Sequence, residues 1–178
     1  MRIYLAGPAG TGKTTAANIL DVQFGFRPHH LSDVLRSRGH RRDRAWLQAY
    51  GDRLRATFGD AVLAMITHQA VVCEEILTGA GIDAVIDGVR LPEEAGYLRA
   101  QGYRGLRIQA PAELRQARLQ NCGRSLSGTE AAHRTEHLAE ALPADLVLPN
   151  TGSPAELAQA LASALDQLGR HVQAPPHT

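Results

Sequence analysis

The sequence predicts an α/β fold: one doubly wound, mainly parallel five-stranded sheet with helices on both faces, three layers in all. Three observations predict it. Short apolar runs bounded by turn residues alternate along the chain with segments of helical apolar spacing. The alternation runs from residue 2 to about 168 without a repeat, a low-complexity tract or a linker, so a single domain is expected over 1–170 and a flexible tail over 171–178. A length of 178 residues with 44% hydrophobic composition suits one such core and does not suit two full domains.

Arg2 to Ala6 reads as a buried strand, followed at once by a glycine-rich turn. Thr14 to Phe24 has helical spacing of Ala16, Ala17, Ile19 and Leu20, ending near Gly25. Arg27 to Leu31 is the second strand, and Ser32 is expected to cap a short helix through Leu35. An arginine-rich stretch runs from Arg36 to Arg44. Leu47, Tyr50, Leu54 and Phe58 then share one face of a helix that Gly59-Asp60 breaks, and another helix runs to about Leu77 with Cys73 on its core face. Asp83 to Asp87, centred on Ala84-Val85-Ile86, has the continuous apolarity of a buried parallel strand. Pro92 opens a helix ending near Gln101-Gly102, Gly105 to Gln109 is the fourth strand, and Pro111 begins a helix to about Gln120. Ser127 to Glu130 has the form of a capping box for a helix through Leu142. Leu146 to Leu148 is the fifth strand, and Ser153-Pro154 starts the last helix.

Composition narrows the function classes. The formal net charge is +1, so charge alone selects neither nucleic acid nor membrane as a partner. The longest apolar run, Ala61 to Ile66, is far short of the roughly 20 residues that span a bilayer. The N-terminus lacks a signal-peptide layout, and Cys73 and Cys122 make neither a disulfide framework nor a metal-ligand spacing. A cytoplasmic protein with no membrane partner is expected. Eighteen of the nineteen basic residues are arginine, as a GC-rich genome favours, and Lys13 is the one lysine. Its position inside the glycine-rich turn calls for a chemical reason.

Gly7-Pro8-Ala9-Gly10-Thr11-Gly12-Lys13-Thr14 satisfies G-x-x-x-x-G-K-[ST] at every defined position, after a predicted strand and before a predicted helix. In such a loop, backbone N–H groups turn inward around phosphate oxygens and the helix N-terminus adds a favourable dipole. Lys13 then places a cation on the β- and γ-phosphates, the Thr14 hydroxyl can ligate Mg²⁺, and Thr15 adjoins the nucleotide. The motif therefore predicts a P-loop fold using ATP and Mg²⁺. A GTPase needs Asn-Lys-x-Asp to read guanine, and the single lysine is already used. A motor ATPase would carry an acidic pair where Ile86-Asp87-Gly88 has one acid. A small kinase fits best.

With these motifs the chain resembles the nucleoside monophosphate kinase group. Ser32-Asp33-Val34-Leu35-Arg36 is similar to the group's Asp-x-Leu-Arg box, whose arginine holds the acceptor phosphate. Ile86-Asp87-Gly88-Val89-Arg90 resembles its Asp-Gly-x-x-Arg box, one residue shorter here. Arg115, Arg118 and Arg124 resemble the arginines that flank the lid and close over the transferring group. Within the group, the chain is most similar to phage-type deoxynucleoside monophosphate kinases, through Trp46-Leu47-Gln48 with Gly51 and Arg55, Asp87 to Glu94, and His133-Arg134-Thr135-Glu136. Asn150-Thr151-Gly152-Ser153 with Glu156-Leu157 resembles their closing turn, shared with dephospho-CoA kinases. The likeness implies acceptor-binding helices over about 32–79 and a small lid over about 118–137.

The remaining residues are weighed by position. Asp87 ends a parallel strand, where a carboxylate can hold Mg²⁺ or merely cap a turn. Asp33 is the preferred general base if the acceptor is a hydroxyl, or else a helix-start acid. Arg36 and Arg90 lie beside strand ends, where a guanidinium can grip a phosphate. Arg118 and Arg124 close over the acceptor or simply face water. Arg38, Arg41, Arg42 and Arg44 are a solvated charge run, an acceptor clamp or a DNA-backbone contact. His133 and Glu136 share a helical face without a third metal ligand; His29 and His30 read as strand-end residues, and Trp46 as packing or base-stacking. The expected function is ATP- and Mg²⁺-dependent phosphoryl transfer to a (deoxy)nucleoside monophosphate. The alternatives are a hydroxyl acceptor, as in dephospho-CoA or hydroxymethyluracil in phage DNA, and a nucleotide-binding module without transfer activity. Oligomeric state stays open.

Overall fold

The computed structural model describes residues 1–37, 44–123 and 138–170. Within them the chain forms β1 (Arg2–Ala6), α1 (Lys13–Phe24), β2 (Arg27–His30), α2 (Leu31–Arg36), α3 (Arg44–Phe58), α4 (Val62–Thr78), β3 (Ala84–Val89), α5 (Pro92–Ala100), β4 (Arg104–Gln109), α6 (Ala112–Asn121) and β5 (Leu146–Pro149). The last element, α7, spans Pro154–Gln167. All five strands are parallel, in the order β2-β3-β1-β4-β5. The expected α/β class and five-stranded parallel sheet are what the chain adopts.

Alternation along the strands divides the core into two layers. Ile3, Leu5, Val85, Leu106 and Ile108 pack against Ala16, Ala17, Leu20 and Phe24 of α1 and Leu157, Leu161 and Leu165 of α7. The opposite face carries Tyr4, Ala6, Ala84 and Ile86, covered by Leu31 and Leu35 of α2, Leu63 and Val71 of α4, and Leu98 of α5. Strands β1 and β3 are therefore apolar on both faces, which is why they lack a polar alternation. At about 25 cal/mol per Å² of apolar surface, these two layers are the main stabilising contribution to the domain. Among the described residues, no single helix is long and apolar enough to cross a membrane.

Caps fix the helix ends. Ser153 and Glu156 bond reciprocally at the start of α7, with Ser153 Oγ accepting the Glu156 N–H and Glu156 Oε2 accepting the Ser153 N–H at 2.6 Å. Pro92 sits in the first turn of α5, where its missing N–H costs nothing.

Several expectations are corrected. Ser32 is not a cap: α2 begins one residue earlier, at Leu31, with His30 in the cap position, because Leu31 must be buried over β3. Cys73 is exposed, since Val71 and His68 take the inner face of α4. Phe58 shares its helix face with Leu54 but projects past the edge of the core and is 66% exposed. The helix expected through Leu142 ends at Ala139 in the described residues, and its capping box at Ser127 and Glu130 lies outside them. β3 runs to Val89, two residues beyond Asp87, because a register shift in β1 lets Ala6 pair with Val89.

Candidate active site

Because every strand is parallel, all five carboxyl ends meet on one edge of the sheet. The turn after β1, His30, Asp87, Gln109 and Asn150 are all there, on the edge where open α/β sheets place ligands.

The turn after β1 owes its backbone shape to glycine, and the shape is that of a loop that could cradle phosphate. Gly7 has φ +129, and a Cβ there would sit 2.4 Å from the Ile108 carbonyl oxygen. Gly12 has φ +97, and its Cβ would sit 2.3 Å from Asn150 Nδ2. Only glycine fits either place. Thr11 Oγ1 donates to the Pro8 carbonyl at 3.0 Å, and Lys13 Nζ donates to the same oxygen at 2.8 Å. Lys13 is largely buried at the first turn of α1, so its ammonium is held over the mouth of the loop and not left to water.

Asn150, after β5, braces the loop from the other side. Its Nδ2 donates to the Thr11 carbonyl at 2.8 Å, and its own N–H donates to the Gln109 carbonyl at 2.7 Å. A trans peptide points its C=O and N–H oppositely, so the Gly12 N–H faces away from Asn150. Asn150 was visible in the sequence only through its resemblance to a closing turn, with no role attached. Replacing Asn150 by alanine strands the buried Thr11 carbonyl, a cost of about 1–3 kcal/mol. ATP affinity measured by titration calorimetry is expected to fall about tenfold, with kcat changed much less.

Asp87 stands beside the cradle. Its Oδ2 accepts the Thr14 hydroxyl at 3.1 Å and lies 3.5 Å from His30 Nδ1, while its buried Oδ1 has no hydrogen-bond partner among the described residues. The residue is only 5% exposed. Burial would raise its pKa, but the His30 hydrogen bond, the Lys13 charge and the Thr14 hydroxyl outweigh burial and hold it below the ordinary carboxylate range. The same contact pushes His30 upward against the opposing effect of its own burial. A hydroxyl and a buried carboxylate with an unpartnered oxygen form the hard oxygen donor set that suits Mg²⁺. His30 was expected only as a strand-end residue.

The other candidates are spread around this centre. Arg90 follows β3, and its backbone N–H donates to Glu94 at 2.9 Å. Arg36 and Asp33 lie on the exposed side of α2, with Arg36 Nη1 3.5 Å from Asp33 Oδ1, so neither meets Asp87 directly in this structure. Arg118 Nη1 donates to the Asn150 carbonyl at 3.1 Å and Nη2 to that of Gly152 at 3.4 Å, so it binds the same segment that braces the turn after β1. Arg115 pairs with Glu140 at 3.0 Å. Trp46 stacks on Tyr50 with ring centres 5.0 Å apart, which gives it at least the packing role. Arg38, Arg41, Arg42, Arg124, His133 and Glu136 lie outside the described residues, as does the Arg44 side chain.

A cleft of about 550 Å³ borders this turn, lined by Pro8 and Thr11, by Gln109 to Pro111 at the end of β4, and by Pro149 and Thr151 at the end of β5. That volume falls in the range of small-molecule sites.

Several solved structures that share this fold are kinases. A shikimate kinase from Aquifex aeolicus matches with TM-score 0.56 and 17% identity, over 95% of this chain and 98% of that one. The shikimate kinase of Acinetobacter baumannii, in complex with shikimate, matches with TM-score 0.53 and 19% identity, over 97% and 95%. The fold is that of the P-loop kinases. A gluconokinase from Sinorhizobium meliloti agrees, with TM-score 0.55 and 15% identity over 94% and 92%. No family model matches the chain, and no curated protein matches it in sequence. At these identities the likeness to P-loop kinases is one of fold, and the acceptor must be argued from the residues.

Proposed function

We propose that this chain transfers the γ-phosphoryl group of ATP to a nucleoside monophosphate. The observation that carries the reading is the Lys13–Thr14–Asp87 grouping, which joins the phosphate cradle after β1 to a carboxylate at the end of β3. Phosphoryl transfer asks the protein mainly for positioning and charge neutralisation, and this grouping supplies both.

Each residue has a task. The backbone of Gly7 to Thr14 holds the donor phosphates, with Asn150 keeping the Thr11 carbonyl turned away from them. Lys13 exchanges its bond to the Pro8 carbonyl for phosphate oxygens, and Thr14 with Asp87 would hold Mg²⁺. A metal held there would supply positive charge against that of the donor phosphates. The cleft beside Thr11 has room for the donor nucleoside. Arg90 and Arg36, on the β2–β3 side of the cradle, grip the acceptor phosphate, and Arg118, with Arg124 as the resemblance implies, closes over the transferring group.

Replacing Arg90 by alanine is expected to raise the acceptor KM at least tenfold while leaving ATP affinity within twofold, because Arg90 departs from β3 and not from the P-loop. A fall in ATP affinity with an unchanged acceptor KM would move Arg90 to the donor site.

A hydroxyl acceptor is the second reading, favoured by the names of the similar structures: shikimate kinase and gluconokinase both denote kinases of hydroxylated acids. Asp33 would then serve as the base. One panel with γ-labelled ATP separates the readings: the (deoxy)nucleoside monophosphates, dephospho-CoA, shikimate, gluconate, and duplex DNA containing hydroxymethyluracil. Label in the monophosphates supports the proposal, and label confined to the other arms overturns it. ATP binding with no labelled product in any arm identifies a nucleotide-binding module.

A further inference from the structure

Glu94 is fully buried, at 0% exposure, yet it takes no part in the donor site. Its Oε2 accepts the backbone N–H groups of Arg90 at 2.9 Å and Leu91 at 3.2 Å. Its Oε1 accepts Nη2 of Arg55, on α3, at 2.9 Å. The Arg55 guanidinium runs past Gly51, where even a Cβ would lie 3.3 Å from Nη1, and Nη1 also faces Asp52 at 3.5 Å. Arg55 Nε is buried with no hydrogen-bond partner among the described residues.

A buried ion pair with an unsatisfied N–H is a poor way to gain stability. Hydrophobic residues of similar volume usually do as well or better in such a place. What the pair supplies is geometry: one carboxylate holds both N–H groups at the start of α5, and one guanidinium from a different helix orients that carboxylate. The backbone from which Arg90 departs is thereby tied to α3.

We propose that Arg55 is a positioning residue for the acceptor: through Glu94 it fixes the turn that carries Arg90 and so aims the Arg90 guanidinium. The inference rests on the monophosphate-kinase reading for its effect on catalysis, but its structural part stands apart from that reading. Arg55 need not touch the acceptor. Its loss frees the Glu94 carboxylate to turn, and Arg90 loses a defined starting point.

The test uses three variants of the full chain: Arg55→Met, Arg55→Lys, and Arg55→Met combined with Glu94→Gln. Arg55→Met is expected to raise the acceptor KM tenfold or more, with ATP affinity within twofold of wild type. Arg55→Lys keeps the charge and recovers part of the loss. In the double variant the introduced amide oxygen still caps α5 and no charge is left buried alone. Thermal stability should therefore return toward wild type while the acceptor KM stays raised. If KM recovers along with stability, Arg55 is a structural residue only and the proposal is overturned. Amide hydrogen exchange gives a readout independent of acceptor chemistry: in Arg55→Met, the N–H groups of Arg90 and Leu91 should exchange at least tenfold faster, with β1 unchanged. Wild-type protection at those two amides overturns the proposal whatever the acceptor is. A wild-type protein that labels no monophosphate sinks the functional reading instead, and the exchange result then decides alone whether Arg55 sets this turn.

Discussion

Replacing Lys13 by alanine is expected to lower kcat by a hundredfold or more, about 2.7 kcal/mol of transition-state stabilisation, while the fold survives. The asymmetry follows from where the lysine sits. Its Cα belongs to the first turn of α1, whose packing onto β1 and α7 depends on Ala16, Ala17, Leu20 and Phe24 and not on position 13. The ammonium bonds the Pro8 carbonyl across the mouth of the loop. Deleting it removes a cation where charge accumulates during transfer, and the core packing keeps its apolar contacts. Steady-state kinetics beside a thermal melt checks both halves. Activity within threefold of wild type would remove the donor site from the glycine-rich turn.

Burial and backbone shape decide which features were legible in the sequence. β1 and β3 could be read because strands buried on both faces must be apolar throughout, and Ile3 to Ala6 and Ala84 to Ile86 are. The turn after β1 could be read because its geometry demands glycine at Gly7 and Gly12, leaving a local signature. The inner face of α4 could not. Met65, Ile76 and Leu77 are exposed on the same helix that buries Leu63 and Val71, so apolarity marks both sides and Cys73 was assigned to the wrong one. Tertiary packing, not periodicity, chooses the face there.

Site residues divide by the same logic. Thr14 and Asp87 come together from 73 residues apart, yet each carried its own local sign, a motif position and a strand end. The Arg55–Glu94 pair joins residues 39 apart; each lies in a segment that carries the resemblance, but neither segment marks the other as its partner. His30 is a further case, since a histidine ending a strand has no signature until β2 pairs with β3 and sets it opposite Asp87. Asn150 shows in the sequence only as part of a closing turn, and it takes the folded sheet to bring the end of β5 against the Thr11 carbonyl. Local geometry writes itself into sequence, whereas partners chosen by sheet order do not.

Replacing Asp87 by asparagine is expected to reduce kcat by a hundredfold or more at saturating ATP, with the loss only partly recovered at high Mg²⁺. Asparagine keeps the shape and can still accept the Thr14 hydroxyl, but it brings no charge to a metal. A second consequence needs no substrate at all. His30 owes its raised pKa to the Asp87 hydrogen bond, which outweighs the burial that pulls the other way. Without the carboxylate, burial dominates and the His30 pKa should drop below the usual value of about 6.5, measurable by an NMR titration of the ligand-free protein. Stability follows with opposite signs for the two groups. A folded pKa raised in His30 contributes stability that is present below its unfolded value and lost as pH rises through the folded one. A folded pKa lowered in Asp87 contributes stability that is present above its unfolded value and lost as pH falls through the folded one. Wild type should therefore be best supported by this pair in mildly acidic solution, between the carboxylate and imidazole ranges, and the asparagine variant should lose that preference. An unchanged His30 titration in the variant would show that the two side chains are not coupled, and the charge balance assigned to the end of β3 would then have to be abandoned.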